Sequence, residues 1–248
     1  MQFARTTRPG QGCFRSARRR VVVAGALLAW SALFLAACVS EQSASNPLLQ
    51  RFVWYGFLNG DDLRETCFEG SLTRYRLVYN ARYQEQVRRY EVIADGAGGA
   101  IVVSRAQGSN HLASVTLDDV LAPWRWQRSE TRFSPEEFSR FETALQQSGF
   151  FEPAPRNLRL PSAGFYWIAV GCRDGRIVFN AWRHPSDRYE ALTFPAILFA
   201  QDGNELPINP PRTIDAAELA FQRSNPQFLH NTGTVFWLRV GDNGLAGY

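Results

Sequence analysis

The stretch FYWIAVGCRDGRIVFNAWRH, residues 165–184, holds two runs of aromatic and β-branched residues around Asp174-Gly175. An Asp-Gly pair between strand-like runs is a strong hairpin signal, because both central residues of a type I′ turn need positive φ. A two-residue turn also sets the pairing. Arg173 opposes Arg176, Cys172 opposes Ile177, and so on outward to Trp167 opposite Trp182. Side chains alternate across a strand. One face therefore carries Ile168, Val170, Cys172, Ile177, Phe179 and Ala181, an apolar core face. The other carries Ala169, Gly171, Val178 and Asn180, with the two Trp side chains at one end and the two Arg at the other. This second face has two readings. Its small residues can seat a helix. Alternatively, Trp167, Trp182, Arg173, Arg176 and Asn180 can line a trough for a saccharide or anion, since aromatic faces suit apolar sugar faces and Arg suits carboxylate or phosphate. Arg opposite Arg also needs an acid or anion nearby.

Outward from this hairpin, Leu72–Asn80, Tyr83–Ala94 and Ala100–Arg105 read as strands, with a turn at Gly96, Gly98 and Gly99 before the third. Trp124–Phe133 is extended in character. Ser134-Pro135-Glu136-Glu137 combines an N-cap, Pro in the first turn and a capping-box Glu. Phe138, Phe141 and Leu145 then fall on one stripe, and Gly149 is a natural stop. Asn46-Pro47 predicts a second helix with Leu48, Leu49, Phe52 and Val53 on its apolar side. Ile214–Arg223 reads as a third, and Gly233–Val240 as a last strand. The fold class expected is α+β, mainly antiparallel sheet with two or three packed helices, in one domain over residues 46–248. Arg76-Leu-Val-Tyr-Asn80-Ala81 echoes Arg176-Ile-Val-Phe-Asn180-Ala181, a short match with no sustained period behind it.

The formal charge of +4 misrepresents the body of the chain. Residues 1–37 hold six basic residues and no acid, leaving 21 Arg against 23 acids beyond them, a formal −2. A nucleic-acid partner, which needs a net-basic surface, is not expected. Lysine is absent throughout. This excludes Schiff-base chemistry and a phosphate-loop Lys.

The basic residues at the start precede an uncharged stretch, Val21–Ala37, which is 17 residues long. A charged n-region, an apolar h-region and small residues describe a secretory signal. The length sits at the short edge of the ~17–25 residues that span a bilayer, so a retained anchor stays open on length alone. Leu35-Ala36-Ala37-Cys38 resembles the lipobox of bacterial lipoproteins. The resemblance implies diacylglycerol transfer to the Cys38 thiol, cleavage before Cys38 and acylation of its new amino group. The chain would then sit in the cell envelope, attached to the membrane by its lipid. Val39, rather than Asp, implies the outer membrane, with the body facing the periplasm. Residues 38–45 then form a polar linker.

Cys67 and Cys172 remain as a candidate disulfide in an oxidising compartment. It would close a loop of about 100 residues, for which the chain-entropy model gives ~4–5 kcal/mol. Two buried free thiols are the alternative. The three histidines, His111, His184 and His230, belong to no metal-ligand string, so neither a metal nor a cofactor is expected. His184 with Ser186 and Asp187, and Ser109 with His111, contain hydrolase residue types outside any Gly-x-Ser-x-Gly elbow. Asp61-Asp62 and Asp118-Asp119 are the carboxylate pairs not explained by helix capping. Arg74, Arg76, Arg82, Arg88 and Arg89, with Glu85 and Glu91 among them, form a basic patch. It reads as a salt-bridged sheet face or as a contact for anionic envelope polymer or lipid headgroups.

No catalytic set emerges. The expected function is a lipid-anchored, non-catalytic scaffold or interaction protein of the envelope, with a protein or polysaccharide partner. A saccharide- or anion-binding module and an envelope hydrolase of unrecognised type are the alternatives.

Overall fold

Asp174 and Gly175 both adopt positive φ, 51° and 69°, as the hairpin turn requires. In this computed structural model, which describes residues 47–108, 126–215 and 236–247, strand pairing follows the predicted register from Arg173–Arg176 to Trp167–Trp182. The chain divides into units Met1–Gln50 and Arg51–Tyr248, and the first lies outside the described residues apart from Pro47–Gln50. The lipobox, the Ser109/His111 pair, Asp118-Asp119 and most of the predicted helix at Ile214–Arg223 also lie outside them. Among the described residues no helix is long and apolar enough to cross a membrane.

The elements in order are helix α1 (Pro47–Asn59), helix α2 (Asp61–Thr66), strands β1 (Arg74–Ala81), β2 (Gln86–Ala94), β3 (Ala100–Gly108) and β4 (Gln127–Phe133), then helix α3 (Pro135–Gln147). Strands β5 (Arg159–Pro161), β6 (Phe165–Arg173) and β7 (Arg176–Arg183) follow. Helices α4 (Asp187–Glu190) and α5 (Phe194–Ala200) come next, then strands β8 (Trp237–Val240) and β9 (Leu245–Gly247). The fold is α+β and mainly antiparallel. A six-stranded sheet runs β4-β3-β2-β1-β6-β7, and a three-stranded sheet runs β5-β8-β9. The described residues hold five helices where the sequence predicts two or three. The additional ones have only six, four and seven residues, too short to display an apolar period.

Both faces of the large sheet are covered. On one, Tyr75, Leu77, Tyr79, Tyr90, Val92, Trp167 and Trp182 pack with Phe138, Phe141 and Leu145 of α3 and with Phe194 and Leu198 of α5. On the other, Val78, Val87, Ile168, Val170 and Phe179 pack with Leu58 of α1 and with Leu160, Leu238 and Val240 of the small sheet. Helix α3 begins as predicted, with Ser134 and Glu137 in a reciprocal capping box. Helix α1 differs from expectation. Phe52 and Val53 are exposed, at 67% and 74%, and the helix instead packs through Trp54, Phe57 and Leu58.

The echo is carried by β1 and β7, the two strands flanking β6. Their Asn residues fall on opposite faces, and each Nδ2 donates to loop carbonyls. Asn80 reaches Ser162 and Gly164, while Asn180 reaches Gly149 and Glu152. Cys67 and Cys172 form a disulfide across 105 residues, with Cα atoms 5.7 Å apart. It ties the loop after α2 to β6, the strand between β1 and β7. Gly175 is pressed against that loop: a Cβ there would lie 2.6 Å from the Glu69 nitrogen.

Candidate functional site: an arginine row on the large sheet

The trough expected beside the hairpin is closed. Trp167 and Trp182 are each 1% exposed and Asn180 is 0% exposed. Trp167 stacks on Tyr79 at 4.9 Å and meets Phe194 edge-on at 5.2 Å. Trp182 Nε1 donates to the Ser148 carbonyl, just beyond α3. Asn180 Oδ1 accepts from Ala181 N and Arg188 Nη2, so its amide is fully used. Gly171 leaves room for the ring of Tyr75 on the neighbouring strand and for Phe150, beyond α3. A Cβ on Gly171 would fall 2.5 Å from the Tyr75 ring. Arg173 and Arg176 lie at the open end. Arg173 finds Glu142 of α3 at 3.8 Å and Asp174 at 3.7 Å, the acids its opposition to Arg176 calls for. Thus the structure brings Trp167, Trp182 and Asn180 together as core and leaves Arg173 and Arg176 at a rim.

The other candidates are also built into the fold. Ser186 caps α4, donating to the Arg183 carbonyl and accepting from Tyr189 N. His184 Nε2 lies 3.4 Å from Glu190. Among the described residues no group of His, Cys, Asp or Glu is arranged to hold a metal.

The predicted basic patch is divided by the sheet. Strand alternation sends Arg88 to the α3/α5 face and Arg76 and Arg89 to the α1 face. Arg88 is 1% exposed and pairs with Asp202, which also accepts from Tyr90 Oη at 2.6 Å and Ser104 Oγ at 3.2 Å. Burial alone would raise the Asp202 pKa. Hydrogen bonds from Tyr90 and Asn204, with the charge of Arg88, hold it below the usual value instead. This network pins the chain after α5 to the sheet.

Arg76 is held equally firmly. Its guanidinium makes two bonds of 2.7 Å to Asp62 of α2, reaches Glu91 at 3.0 Å and lies 3.9 Å from the Phe57 ring centre. The Arg76 bonds hold the Asp62 carboxyl below its ordinary pKa, against burial. Arg82 pairs with Glu85 at the β1–β2 turn.

Arg89 has a different setting. It stands opposite Arg105 on β3, and Arg105 stands opposite Arg128 on β4, so three guanidinium side chains share one row and one face. Arg128 pairs with Glu130 at 2.6 Å. Neither Arg89 nor Arg105 forms an ion pair among the described residues. Around Arg89 stand three rings instead: Trp126 at 3.7 Å, Phe57 at 4.9 Å and Trp54 at 5.9 Å from the guanidinium carbon. Ring faces attract a cation, but burial, then the Arg105 charge, push the Arg89 pKa down to about 10. Arg89 Nε and Trp54 Nε1 are buried donors without an acceptor among the described residues.

Sequence reading found Arg89 but not its partners. Arg105 and Arg128 join it only through the β2–β3–β4 pairing, and Trp126 lies 37 residues further along the chain. The available signal was alternation: Arg89 and Glu91 share one strand face, as do Arg128 and Glu130.

No family model, curated protein or solved structure matches the chain.

Proposed function

We propose that the protein is a lipid-anchored component of the bacterial cell envelope, held at the outer membrane with its body in the periplasm, and that it works by binding rather than by catalysis. The observation that carries this is Leu35-Ala36-Ala37-Cys38 at the end of an uncharged 17-residue stretch that follows clustered arginines. The Cys67–Cys172 disulfide supports it, since disulfides persist in oxidising compartments. The buried charged groups Arg76, Arg88 and Asp202 hold loops and helices in place, which favours a scaffold over a reaction centre. Labelled palmitate should enter the wild-type chain in cells, and Cys38→Ser should abolish incorporation. Equal labelling of that variant would remove the lipoprotein reading.

A saccharide- or anion-binding role is the second reading. It is favoured by the Arg89, Arg105 and Arg128 row and not by the covered Trp167/Trp182 face.

A further inference from the structure

We propose that the row Arg89–Arg105–Arg128 is a binding site for a phosphate-type oxyanion. Directly opposed like charges on one sheet face destabilise a strand pair. Here two such oppositions adjoin, across three strands. The fully buried arginines at this sheet each meet a carboxylate: Asp62 and Glu91 for Arg76, Asp202 for Arg88, Glu85 for Arg82. Arg89 and Arg105, half-buried and directly opposed, meet none among the described residues.

Among the described residues, the charges around it leave a positive excess. Arg76, Arg89, Arg105 and Arg128 stand against Asp62, Glu91 and Glu130, and Asp62 and Glu91 already converge on Arg76. The rings at Arg89 stabilise its charge without supplying an oxygen acceptor, and its buried Nε–H finds none among the described residues. A buried N–H without an acceptor is costly, so the guanidinium is held short of acceptors by its surroundings. The depressed Arg89 pKa has the same origin, and a bound anion would raise it.

Guanidinium groups select the ligand class. Their fixed fork of donors matches the paired oxygens of phosphate or carboxylate, and several forks side by side suit a group with three or more acceptor oxygens. A polynucleotide is not favoured, because the chain beyond residue 37 is net acidic. The phosphate can be a free ion or a diester carried by a lipid headgroup. The site depends on the fold alone and holds whether or not Cys38 carries lipid.

The experiment is thermal unfolding of the full chain in detergent, with inorganic phosphate or glycerophosphoglycerol titrated against sodium chloride of equal ionic strength. A ligand that binds only the folded state raises Tm with its concentration. Phosphate is expected to raise Tm by several degrees beyond the chloride control. Arg105→Gln removes both like-charge oppositions, so it should melt no lower than wild type without ligand while weakening the phosphate effect at least tenfold in concentration. Arg173→Gln, at the far rim, should keep the full effect. A response only to glycerophosphoglycerol, lost in Arg105→Gln, supports the site and assigns it to lipid headgroups. A phosphate response only, also lost in that variant, assigns it to the free ion. No response to either, or one unchanged in Arg105→Gln, overturns the proposal.

Discussion

Asp202 shows what a single buried carboxylate does in this protein. It accepts from Arg88, Tyr90, Ser104 and Asn204, and thereby holds the loop after α5 against β2 and β3. Asp202→Ala would leave Arg88 buried without its counter-charge, a loss of ~3–5 kcal/mol. Urea unfolding at neutral pH measures it. The pH dependence has a definite sign. Because the folded pKa of Asp202 is lowered, its stabilisation is complete above the unfolded carboxyl pKa of about 4 and is lost as pH falls through the folded value. Asp62 behaves likewise through Arg76. Stability measured from pH 5 downward should therefore fall less steeply in Asp202→Asn than in wild type, from a lower plateau. Gly171 makes a steric statement instead. Gly171→Ala drives a methyl into the Tyr75 ring and should cost ~1–3 kcal/mol, read as a lower Tm.

At the scale of elements, local chemistry governs where segments begin and turn. The Ser134 and Glu137 side chains each satisfy a backbone N–H at the start of α3. Ser134→Ala should cost ~1 kcal/mol in chemical denaturation, with no change in the sheet. Both this helix and the β6–β7 hairpin were legible in sequence because their signals are contiguous: a capping box in one, Asp174-Gly175 in the other. The face of α1 was not legible. Leu48, Leu49, Phe52 and Val53 have helical spacing, yet Trp54, Phe57 and Leu58 have it too, and only the position of β1 and β2 decides which stripe is buried. The same reason hid the arginine row. Its members come from three strands, and the pairing that aligns them joins residues 16 and 23 positions apart. The apparent ligand face of the hairpin misled for a related reason. Phe194 and Phe199 pack around Trp167, and they stand in a short helix without a sequence signature.

Over the whole molecule, two cores meet at one sheet, and the disulfide adds a covalent bond between the start of the chain and its centre. Reduction should lower the unfolding free energy by ~2–5 kcal/mol, visible as a shift of the urea midpoint with reductant. Its position also sets how the body responds to mechanical load. A pull from the N-terminal side reaches α1 and α2 first. Those two helices sit ahead of Cys67 and are held by non-covalent contacts alone, so they are expected to peel away first. At Cys67 the peeling stops, because the force passes through sulfur into Cys172 on β6, whose neighbours on both sides are hydrogen-bonded strands. Under such a load the helices would act as a short extensible spring and the sheet as the fixed point behind it.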